Sequence, residues 1–331
     1  MLGNYVYKHA AGYTGVGNDA RLLEFDAKFF IASCTKLLTS IASLQLHNED
    51  GTFELHRAKK SITLRHLLTH SAGATYIWAD PTLFSWRLSR GEMPVIVKNG
   101  DVANAYAYPR AYEAGGSWGY SGGLDWASLL VTRLSKQGFE EYVEEIAKPL
   151  GITTFTWCLR RKPAVEEKLM NISTRQEDGT LIYGPTPFWP DPIYEGGGAG
   201  CYASVHDYTR VLSDLLKDDP ITLRKETVDE IFSPQFKECS LELAGLQANA
   251  EVWLSTTYSG GVLVMEDVKR DNYFTPKGTM RWSGLPSLLW GVNREKGLAF
   301  MFATQVVPWA DRKSFEVAAR FETAVWRNLK P

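Results

Sequence analysis

The run "FFIASCTK", Phe29 to Lys36, sets a hydroxyl and an amine three residues apart. Residues at that spacing on a helix share a face. Free amides at a helix start favour negative charge, so an alkoxide on Ser33, or the oxyanion of its adduct, is stabilised there. Lys36 can take the serine proton when it is neutral, and burial near another cation lowers a lysine pKa. This is the chemistry of a serine nucleophile with a lysine base. The same pair also reads as an N-cap serine followed by a solvated lysine. Against that stands the apolar approach Phe29-Phe30-Ile31-Ala32, unlike the lead-in to a solvated helix start. It is also the only Ser-x-x-Lys in the chain.

A serine nucleophile needs a proton relay and an oxyanion hole. "GSWGYSGGLDWA" supplies a relay candidate: Tyr120 lies in a glycine-rich loop just ahead of a helix, where a phenol can project into a cleft. "MRWSGLPS" supplies the other: Trp282 and Ser283 precede Gly284 in a strand, where a glycine admits a ligand close to the backbone. Taken singly, Tyr120 is also a core ring and the strand a bulge; the three segments together carry the case. A serine–histidine pair built on His66, His70 or His206 is the lesser alternative, with His70 read as a structural hydrogen-bonder. Asp125 reads as a helix-start carboxylate, with orientation of Tyr120 as its alternative. The run "EGGGAG" from Glu195 lacks the ending of a phosphate loop, so it reads as a mobile loop at the cleft edge with Glu195 in reach of the site. Cys34 reads as a packing residue.

These residues must be carried by a mixed scaffold. "NYVYKHAAGY" alternates as a strand. "SCTKLLTSIASLQLHNEDG" reads as a helix closed by Gly51, and "ITLRHLLTHSAG" as a short helix ended by Gly73. From Ala74 to Gly116 the chain reads as loop, broken by Pro81, Pro94 and Pro109. "GLDWASLLVTRLS" and "FEEYVEEIAKPLG" are amphipathic helices, and Ser204 with Asp207 opens another at capping-box spacing. The last third holds the strand runs "GGVLVMEDV", "GTMRWSG", "PSLLWGVN" and "GLAFMFATQVV"; the final two form a hairpin through "NREKG". A helix closes the chain. The fold class is α/β of the α+β type: an antiparallel β-sheet flanked by helices, with an inserted, mostly helical domain. Residues 1–55 and 205–331 form the sheet domain and 56–204 the insertion, with the site at their junction.

Composition narrows the function. A hydrophobic fraction of 44%, a charged fraction of 22% and a net charge of −2 describe an ordinary globular chain, with no basic patch for nucleic acid. No apolar run is long enough to span a bilayer, and no secretory leader is visible, so the expected location is cytoplasmic. Cys34, Cys158, Cys201 and Cys239 are scattered and read as free thiols.

The segments "SCTK", "ITLRHLLTHSAG", "YSGGLDWA", "KPLGI", "GGGAGCYASVHDYTRVL" and "GTMRWSGLPSLLW" resemble the serine hydrolase family of class C β-lactamases, penicillin-binding proteins and esterases. The resemblance covers nearly the whole chain and is nearest to the fungal branch that includes the lovastatin-pathway acyltransferase. It implies Ser33 as nucleophile, Lys36 as its base and Tyr120 as proton shuttle. It implies an oxyanion hole from the backbone N–H groups of Ser33 and Leu285, and substrate contacts at Gly122, Glu195, Trp282, Ser283 and Gly284. No metal or organic cofactor is implied.

Two departures bear on substrate. Gly122 stands where those β-lactamases carry the Asn of Tyr-x-Asn, and Trp282-Ser283-Gly284 replaces Lys-Thr-Gly. The missing lysine removes the cation that pairs with a penicillin carboxylate, and Trp282 offers an apolar face instead. The implied partners are a small-molecule ester or thioester donor, or a carrier-protein-bound acyl group, and a bulky hydrophobic alcohol acceptor. Trp78, Phe84, Trp86, Tyr106, Tyr108 and Tyr112, with Trp282 and Trp290, are expected to line its cleft. A catalytically silent paralogue acting as a binding protein is the alternative. Relative to the family, the chain starts close to its first strand, and Leu55 to Ile62 is short.

Overall fold

The computed structural model describes residues 7–16, 20–30, 57–92, 102–184, 192, 194–249, 254–256, 261–270 and 273–328. Ser33, Cys34, Lys36 and the helix expected to run on to Gly51 lie outside these residues, as does Pro94.

The first described strand is β1 (Lys28–Phe30). The strand expected over 4–13 does not form in its described part, where Tyr13 makes only an isolated bridge to Leu22. Alternation needs a face to bury, and Tyr7 and Tyr13 are both exposed. Helix α1 (Leu64–Leu68) opens with a capping box in which His66 takes the usual Glu place: Thr63 Oγ1 accepts the His66 N–H at 3.3 Å, and His66 Nδ1 accepts the Thr63 N–H at 3.1 Å. The expected loop from 74 to 116 contains α2 (Pro81–Ser89) and α3 (Val102–Ala105). Pro81 begins α2 instead of breaking it, because a first-turn residue needs no N–H partner. Asp80 Oδ1 accepts the Leu83 N–H at 3.0 Å there.

Next come α4 (Gly123–Ser135) and α5 (Phe139–Ala147), both where the amphipathic pattern put them. After α6 (Pro163–Glu166) run β2 (Ile172–Arg175), β3 (Leu181–Gly184) and β4 (Tyr202–Ser204). Ser204 Oγ caps α7 (Val205–Asp214) by accepting the Asp207 N–H at 3.0 Å. Then follow α8 (Lys225–Ile231), α9 (Leu241–Asn249), β5 (Leu254–Thr256), β6 (Val262–Val264), β7 (Val268–Arg270) and β8 (Tyr273–Thr275). The chain continues through β9 (Met280–Gly284), β10 (Leu288–Asn293), β11 (Leu298–Phe302) and β12 (Val306–Val307) to α10 (Arg312–Arg327).

The largest sheet is antiparallel throughout, in the order β11-β10-β9-β6-β5. The expected β10–β11 hairpin is present, with Leu289 opposite Phe302 and Asn293 opposite Leu298. Every residue of β10 is buried, so the sheet is covered on both faces. On one face Leu289 and Phe300 pack with Ala318 and Trp326 of α10. On the other, Met280, Trp290 and Val292 join Phe139, Val143, Tyr208 and Leu212 from α5 and α7. Trp290 is therefore a core ring with no exposure, and not the cleft ring the sequence suggested. Three smaller arrays accompany the sheet among the described residues: β1 pairs with β4, β12 lies parallel to β2 beside β3, and β7 pairs with β8.

Candidate active site

Tyr120 is half-buried in the loop that enters α4. Its carbonyl accepts the Tyr76 N–H at 2.9 Å, and the Gly119 N–H reaches the His70 carbonyl at 3.0 Å. A side chain at Gly119 would run into Thr75, so the close approach of these two strands of loop requires glycine there. Four rings surround the Tyr120 ring: His70 at 5.0 Å, Tyr76 at 5.1 Å, Trp282 at 5.6 Å and Trp78 at 6.1 Å between centroids. Such ring pairs contribute about 0.5–1.5 kcal/mol each beyond area burial. They fix the plane of the phenol.

Behind this basket lies Asp125, in the first turn of α4 as its helix-start reading predicts, but engaged with phenols as well. Its Oδ2 accepts the Tyr106 hydroxyl at 2.9 Å and the Tyr76 hydroxyl at 3.5 Å. Its Oδ1 accepts the Gly198 N–H at 3.0 Å. Burial first, and the Asp125 charge second, hold the Tyr76 and Tyr106 phenols well above the ordinary tyrosine pKa. Both therefore stay protonated and serve as donors. The Tyr106 ring lies where a Cβ on Gly122 would point. The volume that an Asn side chain would need is thus taken by a tyrosine from α3's C-terminal side.

Across the site, β9 and β10 are joined by Leu285-Pro286-Ser287, with Gly284 opposite Leu288. Ser287 has φ +59°, the left-handed residue that closes a three-residue hairpin loop. Trp282 packs against the cluster that includes Trp118 and Val262, alongside Tyr120. Leu285 packs on the cluster of Phe30, Ile172 and Tyr202. The Trp282–Leu285 segment thus touches the Tyr120 loop through Trp282 and the end of β1 through Leu285. Phe30, the last residue of β1, stands three positions before Ser33 in the chain.

Glu195 corrects the sequence reading. Its Oε2 accepts the Phe139 and Glu140 N–H groups at 2.8 and 3.2 Å, and Arg161 pairs with its other oxygen. Helix α5 follows Gly138, which has no side chain to cap it, and the orphan amides recruit this carboxylate from a distant loop. The loop itself is pinned: Gly197 N–H donates to Ser128 Oγ at 3.0 Å, and Gly198 N–H to Asp125. It is a fastened wall instead of the mobile cleft edge expected.

Residues Gly119-Tyr120-Ser121-Gly122-Gly123 fit the Gly-x-Ser-x-Gly pattern of another hydrolase class, which corrects the expectation, behind the low weight given to a serine–histidine pair, that the chain holds no such pentapeptide. Ser121 Oγ lies 3.0 Å from His70 Nδ1. Yet Ser121 has no exposed surface, its own N–H donates to that same nitrogen at 3.2 Å, and its Oγ accepts the Gly123 N–H at 3.3 Å. The pair is a buried fastener that sets the Tyr120 loop on the turn after α1, in line with the structural reading of His70. Of the remaining cleft candidates, Tyr108 donates to the Thr75 carbonyl at 3.0 Å and Tyr112 to the His70 carbonyl at 3.3 Å. Trp86 lies under the Arg90 guanidinium at 4.9 Å. Trp78, exposed and stacked on Tyr76 at 5.4 Å, presents a face to solvent.

Residues 3–324 match the β-lactamase family model. An acyltransferase of Penicillium decumbens, calJ, is 31% identical, the match covering all of this chain and 88% of that protein. Monacolin J acid methylbutanoyltransferase of Aspergillus terreus is 28% identical over 93% of this chain and 84% of its own. Among solved structures, the LovD6 mutant of simvastatin synthase from Aspergillus terreus aligns with a TM-score of 0.82 at 29% identity, covering 96% of this chain and 88% of that one.

Proposed function

We propose that this chain, which belongs to the β-lactamase family, is a serine acyltransferase of fungal secondary metabolism, with ester hydrolysis as its reaction when water replaces the alcohol. Neutral Lys36 removes the Ser33 proton, and Ser33 Oγ attacks the carbonyl carbon of an ester or thioester. The backbone N–H groups of Ser33 and Leu285 hold the oxyanion. Tyr120 passes a proton to the leaving alcohol or thiol, which departs as the carbonyl re-forms and leaves acyl-Ser33. Tyr120 then takes the proton of the incoming alcohol, whose oxygen attacks the acyl carbon. Collapse of that second tetrahedral adduct expels Ser33 Oγ, which takes its proton back from Lys36 and restores the neutral amine. We further propose a bulky hydrophobic acceptor, a small-molecule or carrier-protein-bound acyl donor, a cytoplasmic location, and a site at the junction of 1–55 and 205–331 with 56–204.

The observation that supports this reading is the contact of Trp282–Leu285 with both the Tyr120 loop and the end of β1. The relatives named as acyltransferases point to transfer. Trp282, with no lysine in its place, and the Tyr106 ring over Gly122 argue against β-lactams. Among the described residues, no helix is long and apolar enough to cross a membrane. Incubation with a butanoyl or methylbutanoyl thioester should place an acyl adduct on the Ser33 peptide by mass spectrometry, and a hydrophobic alcohol should discharge it. Full turnover by Ser33→Ala would sink the mechanism. Absence of adduct and turnover in the wild type would favour the binding-protein reading.

A further inference from the structure

Gln305 is the candidate that the structure carries furthest. It lies just before β12, only 2% exposed, and its side-chain amide is laid against the backbone of Phe30 like a strand partner. Its Oε1 accepts the Phe30 N–H at 3.2 Å, and its Nε2 donates to the Phe30 carbonyl at 3.0 Å. The backbone of Phe30 supplies one donor and one acceptor, which fixes the orientation of the amide. Glutamate would offer acceptors alone, methionine neither group, and asparagine is one methylene short.

The residues on either side of Gln305 hold the hairpin turn. Thr304 Oγ1 donates to the Pro286 carbonyl at 2.7 Å. The Val306 N–H reaches that same carbonyl at 3.3 Å, and Ser287 Oγ donates to the Val306 carbonyl at 3.1 Å. The Gln305 carbonyl in turn accepts the Ser173 N–H of β2 at 2.8 Å. One three-residue strap therefore grips both the Leu285-Pro286-Ser287 turn and the strand that leads to Ser33.

We propose that Gln305 is a positioning residue for acyl transfer: with Thr304 and Val306 it fixes the spacing between the Leu285 N–H and the chain entering Ser33. This rests on the reading of Ser33 and Leu285 given above. An oxyanion hole made from two distant segments works only if their separation is held, and a misplacement of about 1 Å can cost on the order of 10²-fold in rate. Both donors are backbone amides, so their separation is set by what holds the two segments, which includes the packing of Leu285 on the Phe30 cluster. The strap adds directional hydrogen bonds to both sides.

The test compares Gln305→Met, which keeps the side-chain length, with Thr304→Val, which loosens the turn side alone. Single-turnover acylation by a p-nitrophenyl ester and steady-state kcat and KM are measured at a temperature where melting curves show each variant folded. For Gln305→Met, kcat and the acylation rate should fall by about 10-fold to 10²-fold, with KM within about twofold. Thr304→Val should fall less, and the double variant should lose less than the product of the two, because both act on one distance. A merely structural glutamine would lower the melting temperature and leave the acylation rate alone, which would overturn the proposal, as would strictly multiplicative losses. If Gln305→Met does not fold, Thr304→Val and Gln305→Glu decide the matter by the same readout. If wild-type protein forms no acyl-Ser33, the functional reading fails and the strap loses its role with it. If wild type acylates and every folded strap variant acylates as fast, the strap proposal alone is refuted.

Discussion

The Tyr120 basket and the Leu285 turn, two walls linked through Trp282, are made of different materials. On one side, the Tyr76 and His70 rings pack on the phenol, and behind them Asp125 gathers the Tyr106 and Tyr76 hydroxyls at 2.9 and 3.5 Å. On the other, the Leu285 turn offers backbone, and its anchors are the side chains of Thr304 and Ser287. Moving a proton requires a particular side chain at a particular place. Stabilising an oxyanion requires only an N–H aimed correctly, so residue identity migrates from the site to its supports. Substitutions should therefore cost most at the residue itself on the first wall and least at the residue itself on the second.

The largest expected effect breaks or upholds that contrast directly. Tyr120→Phe should lower kcat by roughly 10²- to 10⁴-fold, the scale of general acid–base catalysis. Leu285→Ala keeps its N–H and should cost only about threefold or less in kcat, since what it loses is packing on the Phe30 cluster. Steady-state rates on a p-nitrophenyl ester distinguish the two; comparable losses at both positions would erase the distinction. Lys36→Ala should match Tyr120→Phe in scale, and the double variant should be far from multiplicative if the two share one proton relay.

A second, intermediate effect concerns the space above Gly122. Restoring the β-lactamase amide by Gly122→Asn drives a side chain into the Tyr106 ring. Overpacking of this kind destabilises by about 1–3 kcal/mol. Thermal unfolding should show the loss, and Tyr106→Ala in the same chain should recover part of it. Neither variant should hydrolyse a chromogenic cephalosporin, because Trp282 still stands where a carboxylate-binding cation is needed. Rapid turnover of that substrate by any of these proteins, wild type included, would contradict the assignment of Trp282.

What could be read in the sequence follows the range of the interactions. Ser204 and Asp207 are three residues apart, and their cap is present as read. The β10–β11 hairpin is joined by a short turn, and its register is regular. Tyr120 stands out in the sequence because its loop carries a motif, and the structure sets its ring against Trp282. By contrast, Tyr106 lies 19 residues before Asp125, and nothing local marks it as the ring that fills the place of a missing side chain. Glu195 caps a helix 56 residues away, so its place in a glycine-rich run pointed in the wrong direction. Gln305 binds Phe30 across 275 residues and carries no motif at all. Pro81 misled because its effect depends on whether it stands inside a helix or at its start. The alternation over 4–13 misled because Tyr7 and Tyr13 find no face to bury.

The smallest expected effect concerns pH. Burial also raises the phenols of Tyr108, Tyr112 and Tyr202, but the phenols tied to Asp125 by hydroxyl hydrogen bonds belong to the first wall. Tyr76 and Tyr106 are held protonated in the folded chain, by burial first and by Asp125 second. Their folded pKa values lie above the unfolded value of about 10. Below that pH both states carry the phenolic proton, and the contribution to stability is fully present. As the pH rises past it, the unfolded chain ionises these groups while the folded chain keeps them neutral, so stability falls. Each phenol that ionises only on unfolding contributes a decline of about 1.4 kcal/mol per pH unit. Melting temperature measured between pH 8 and 11 should therefore be flat at first and drop at the alkaline end. Asp125→Asn removes the charge but keeps an oxygen for the Gly198 N–H, so the drop should become shallower although the protein is less stable at neutral pH. The hydrogen-bonding anchors of the Leu285 turn, Thr304 and Ser287, include no phenol, and Thr304→Val should shift the whole curve without changing its alkaline slope. An alkaline slope unchanged by Asp125→Asn would mean that burial alone holds the two phenols, and that the carboxylate does not tune the wall it gathers.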